Sequence, residues 1–154
     1  MTRRHLVAVA VAIAAMLVAL VPPLWVRATG DQVYLEIEPV DPLSLFRGNY
    51  VDLRYDSDVD IPDTVEWGDA VYVVVTTDRP ARFVRATTDR PDLAAGERCL
   101  RGKAESDRVQ FPHLEQFFVT PELGRQIETN LDSYVAVVTT TGRCSSVLVD
   151  LELE

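Results

Sequence analysis

After residue 30, the side chains from which chemistry could be built are a serine and a lysine, a run of alternating aspartates, one histidine and two cysteines. Ser44 and Lys103 could act as nucleophile and base if they touched, and no spacing brings them together. Lys103 is the only lysine against fourteen arginines, so a lysine base or Schiff base has a single candidate. Asp56, Asp58 and Asp60 begin like a calcium loop. Its sixth position, which needs glycine for a sharp turn, is Ile61, and its twelfth is Trp67 rather than glutamate. A solvated acidic loop is the expected reading. His113 is the only histidine beyond the N-terminal segment, so it belongs to no histidine-based metal cluster. The chain has no GxSxG, no CxxC and no phosphate-cradling glycine loop, and no spacing singles out a hydrolytic pair among its 24 acidic residues. No cofactor and no metal site is expected.

The elements that position these groups begin with an address. Residues 6–26 form an apolar run without a charged side chain, preceded by Arg3, Arg4 and His5. As a helix the run spans roughly 31 Å, close to a bilayer's hydrocarbon core. The two arginines should hold the N-terminus in the cytoplasm and place the rest of the chain outside the plasma membrane. A secretory signal peptide has the same beginning, with Pro22-Pro23 as a break and Val26-Arg27-Ala28 as a cleavage site. The length of the run and the belt position of Trp25 favour an uncleaved anchor. Both readings export the remaining residues.

Twelve of the 15 basic residues and all 24 acidic ones lie beyond residue 30, a net charge of −12. Such a surface repels nucleic acid and anionic headgroups, so no nucleic-acid partner is expected. About 125 residues suffice for one domain with its own core. Outside the cytoplasm Cys99 and Cys144 could pair, which requires the strands predicted to carry them to be neighbours; two free buried thiols are the alternative.

The exported part reads as short strands over 33–37, 50–55, 70–77, 81–87, 98–104, 108–111, 115–119, 134–141 and 144–152. Gly142-Arg143 fits a two-residue hairpin turn, and in the last strand Val147, Val149 and Leu151 are expected to share one face. One helix is predicted over 121–130, with Thr120 as its cap and Pro121 in its first turn. The expected fold is mainly β: a transmembrane helix, then a compact antiparallel barrel or sandwich with one short helix.

The segment Gly48-Asn49-Tyr50-Val51-Asp52-Leu53-Arg54-Tyr55 resembles the motif that names the GDYXXLXY family of membrane-anchored bacterial proteins, with asparagine in place of aspartate. Asp41-Pro42, Arg47, Gly68-Asp69 and Glu115 with Phe117-Phe118-Val119 also fit that family's pattern. The resemblance implies a single-span anchor and an extracytoplasmic domain, and its context suggests an integral membrane partner. It carries no activity. Gly48 and Asn49 suit a turn, Leu53 and Tyr55 should enter the core, and Tyr50 should face the other way. Asp41, Arg47, Asn49, Tyr50 and Glu115 are the candidate ligand or partner surface. The expected role is a non-enzymatic accessory or interaction domain; the alternative is a hydrolase or a metal- or ligand-binding domain using residues 41–50 and Glu115. The anchor followed by a proline-led entry into a β domain also resembles type I signal peptidases. Ser44, however, falls where that family has a threonine-like position, and Val40 stands in the nucleophile's place.

Overall fold

The computed structural model describes residues 3–38, 50–106, 108–130 and 133–153. A single helix, α1 (Arg3–Thr29), runs from the N-terminus and is long and apolar enough to cross a membrane. It continues through Pro22 and Pro23, as the anchor reading expects and without the break of the signal-peptide alternative. Two prolines are tolerated because only the last turns of the helix come after them. Those turns reach the β domain. Val26 is buried, the Gly30 N–H donates to the Val26 carbonyl at 2.9 Å, and β1 begins at the next residue. A Cβ on Gly30 would lie 2.7 Å from the Thr140 carbonyl oxygen and 2.6 Å from Thr139 Cγ2, so only glycine fits this joint.

The described residues of the domain form nine strands: β1 (Asp31–Glu36), β2 (Tyr50–Asp52), β3 (Ala70–Thr76), β4 (Phe83–Thr87), β5 (Glu97–Glu105), β6 (Arg108–Gln110), β7 (Gln116–Phe118), β8 (Tyr134–Thr140) and β9 (Ser146–Leu153). They form three sheets, ordered β1-β8-β9, β2-β7 and β4-β3-β5-β6, with every pairing antiparallel. The described strands therefore do not close into the single barrel that was one of the expected forms. Instead the sheets enclose a common core to which β1, β3, β5 and β8 contribute Leu35, Val73, Leu100 and Ala136. Valine-rich β3 and β8 read as near-continuous apolar runs because both of their faces are covered. The short helix α2 (Pro121–Thr129) is capped by the Thr120 hydroxyl, which accepts from the Leu123 N–H, and it buries Ile127.

Two expectations about the last hairpin need correction. Cys144 lies in the turn rather than in a strand, and the turn is longer than two residues. The Cys144 N–H donates to the Thr141 carbonyl and the Thr141 N–H to the Ser145 carbonyl. The left-handed backbone position falls on Cys144, at φ 60°, and not on Gly142. This is the turn-plus-bulge way of closing a hairpin. Further along, Val137 faces Asp150 while Val138 faces Leu148, so Val149 is an extra residue in a bulge. The bulge resets the alternation, and Leu148 and Leu151 are the side chains that meet the core.

Cys99 and Cys144 form a disulfide spanning 45 residues. It ties the β8–β9 turn to the face of β5 opposite the core, and the Thr140 hydroxyl donates to the Cys99 carbonyl beside it at 2.6 Å. The two free buried thiols of the alternative reading are therefore not what this structure contains.

Candidate functional site

The motif segment shows strict alternation of burial from Val51 to Asp60, well beyond the end of β2. Val51, Leu53, Tyr55, Ser57 and Val59 are buried; Arg54, Asp56, Asp58 and Asp60 are exposed. An extended chain produces this period, and its hydrogen bonds come from partners outside a regular ladder. The Leu53 N–H donates to the Glu115 carbonyl at 2.7 Å, and the Glu38 N–H to the Arg54 carbonyl at 2.8 Å. The Ser57 hydroxyl donates to the Val109 carbonyl and accepts from the Val109 N–H, both at 3.0 Å, replacing a strand on the open edge of β6. The same extended backbone sets Asp56, Asp58 and Asp60 roughly 6–7 Å apart along one side, too far to share an ion as a tight loop would. Among the described residues no group of three or more His, Cys, Asp or Glu could hold a metal.

Between this segment, β6 and β7 lies a cleft of about 580 Å³ whose walls include Arg54, Tyr55, Arg108, Gln110 and Glu115. Several of its polar groups are engaged within the protein. Glu115 accepts from the Phe111 N–H through Oε1 at 3.0 Å and from Gln110 Nε2 through Oε2 at 3.2 Å. Arg108 pairs with Glu105 at 3.3 Å. Tyr55 donates to the Leu114 carbonyl at 2.5 Å, and its ring meets Phe111 edge-on. Partial burial holds the Glu115 carboxyl above its ordinary range, against the two hydrogen bonds that lower it. Burial, and secondarily the Glu115 charge, push the Tyr55 phenol far above its ordinary value, so it stays protonated and serves as a donor. Among the described residues the cleft walls carry no serine, threonine or cysteine nucleophile. A carboxylate with both oxygens bonded and a phenol tied to a carbonyl fix a strand crossing; they are not arranged for proton transfer.

Tyr50 stands apart from the cleft. It is 39% exposed, on the opposite face from Val51, and its ring lies 3.8 Å from that of Phe118, which is 64% exposed. Both belong to the two-stranded sheet, where Tyr50 and Phe118 are directly paired. Glu115 lines the cleft, and Tyr50 is not among the described residues of its walls. Asp41, Arg47, Gly48 and Asn49 lie outside the described residues, as does Ser44. Leu53 and Tyr55 are in the core. Lys103 sits on an exposed position of β5.

Sequence reasoning misses Phe118 as the partner of Tyr50, and Ser57 and Gln110 as supports of the crossing. The alternation over 51–60 is visible in the sequence as apolar or small residues at every second place. The aspartates between them suggest a loop instead.

No curated protein and no solved structure matches this chain. The GDYXXLXY protein family matches residues 12–151, from the apolar helix to the last strand. With Leu53 and Tyr55 of the motif packed in the core and the match covering most of the sequence, this chain belongs to the GDYXXLXY family.

Proposed function

We propose that this protein is a single-pass membrane protein with residues 1–5 in the cytoplasm, residues 6–26 crossing the bilayer and residues 31–154 forming an extracytoplasmic accessory domain that engages an integral membrane partner. The anchor is supported by the 27 residues of α1 and by the seating of its last turn. Cleavage after Ala28 would remove buried Val26 from its place against the domain. Arg3 and Arg4 set the orientation by the positive-inside rule, and exposed Trp25 falls at the outer interface.

The observation that carries the interaction reading is the Tyr50–Phe118 pair. Two aromatic rings in tilted contact, exposed on a three-residue-long strand pair, bury little against their own domain, and such residues anchor protein interfaces. In the neighbouring cleft Glu115, Gln110, Arg108 and Tyr55 are already bonded within the protein, which favours the aromatic surface for recognition.

Crosslinking with mass spectrometry in native membranes tests this, comparing wild type with Tyr50→Ala. The expected result is an integral membrane protein crosslinked near β2 and β7, with yield reduced about tenfold in the variant. Failure to capture a partner, together with hydrolysis of a substrate panel by the purified protein, would refute the reading.

A further inference from the structure

A second concavity, of about 390 Å³, lies between the outer face of β3 and β5 and the β8–β9 turn. Arg101 and Lys103 project from β5, Arg143 comes from the turn, and Tyr72, His113, Ser145 and Ser146 add to the polar lining. Among the described residues no aspartate or glutamate lines it. This is contrary to the rest of a domain carrying −12, where cations are generally spoken for. Arg79, Arg82, Arg85, Arg98, Arg108 and Arg125 pair with carboxylates, and Arg90 donates to the Gly142 carbonyl. Among the described residues, the side chains of Arg101, Lys103 and Arg143 make no ion pair and no hydrogen bond, and of the other cations beyond the helix only Arg54, in the first cleft, shares that state.

We propose that Arg101, Lys103 and Arg143 form a binding site for a phosphate-bearing anion, held in shape by the Cys99–Cys144 disulfide. Three unpaired cations in one concavity repel one another at a cost that a bound anion removes. A phosphate group fits better than a carboxylate, because it offers more negative charge and enough oxygens for two guanidinium forks and an ammonium. The disulfide matters because two walls of the site belong to different sheets. Cys99 lies two residues before Arg101 on the same side of β5, and Cys144 directly follows Arg143, so the bond sets the distance between them. His113 reports the local field: partial burial, and then the Arg101 charge, hold its imidazole below the ordinary range. Its Nε2 lies 2.8 Å from the Ser146 hydroxyl.

Two sources could supply the phosphate, a soluble phosphorylated compound or a lipid headgroup. The turn is close to the anchor, since Thr140 pairs with Asp31, two residues beyond the end of α1. The site stands independently of the partner assigned to the Tyr50 surface.

Calorimetry of the full chain in phosphatidylcholine nanodiscs, titrated with inorganic pyrophosphate, tests the proposal. Saturable binding at one site is expected, accompanied by a shift of the His113 imidazole resonance. Arg101→Gln with Lys103→Gln should weaken it at least about tenfold. Arg82→Gln with Arg125→Gln removes the same charge from exposed, paired positions and should change it less than about twofold. Arg143→Gln, in an exposed turn, serves as the second variant if the first does not keep the fold. Replacing part of the lipid by phosphatidylglycerol separates the sources: competition assigns a lipid headgroup, and unchanged binding assigns a soluble phosphate compound. Absence of saturable binding by wild type, or equal weakening in both double variants, would overturn the site.

Discussion

Glu115 joins three parts of the fold through one residue. Its carbonyl accepts from Leu53, one carboxylate oxygen holds the Phe111 N–H, and the other holds Gln110. The cost is a partly buried charge. Burial raises its folded pKa above the unfolded value, so the carboxylate form is disfavoured by folding, and this contribution improves as pH falls through the folded pKa toward 4.5. Glu115→Gln keeps an acceptor for Phe111 without the charge. It should leave neutral-pH stability unchanged or slightly raised and remove that component of the pH dependence. Glu115→Ala leaves the Phe111 N–H without its partner and should lose about 1–2 kcal/mol in urea unfolding. Glu97 behaves in the opposite sense. Its bidentate pair with Arg85, aided by the Ala94 N–H, lowers its pKa to about 2, so this support persists through mild acid and is lost as pH falls through the folded pKa.

Among the elements, those with a strong period were legible from the sequence. Valine-rich β3 and β8, α2 with its Thr120 cap, and the ends of β5 within a residue or two follow from alternation and capping chemistry. The features that escaped depend on residues distant in sequence. Val149 became a bulge because β9 had to satisfy β8 and the core together, and no local signal marks such an insertion. The Ser57 hydroxyl is a surrogate strand partner only because Val109, 52 positions later, arrives beside it. Arg143 likewise meets Arg101 and Lys103 only across the long-range contact that the Cys99–Cys144 disulfide marks. That bond closes a 45-residue separation. Replacing Cys99 and Cys144 together with serine should lower unfolding stability by about 3–4 kcal/mol on the chain-entropy account, read from urea midpoints. A loss under about 1 kcal/mol would mean that neighbouring contacts, such as Thr140 to Cys99, already fix the turn.

For the whole molecule, the helix and the β domain form one continuous arrangement: α1 ends at Thr29, Gly30 permits the close approach, and β1 starts at Asp31 in register with β8. An anchored accessory domain is the reading supported by that joint, by the basic N-terminus and by an exported surface rich in carboxylates. The most direct measurement tracks a C-terminal epitope on the full chain in carbonate-washed spheroplasts, before and after external protease. The epitope should stay with the membrane pellet, on a polypeptide that retains its N-terminal helix, and disappear on protease treatment. An epitope protected from the protease, or released into the soluble fraction on a chain beginning at Thr29, would contradict the account.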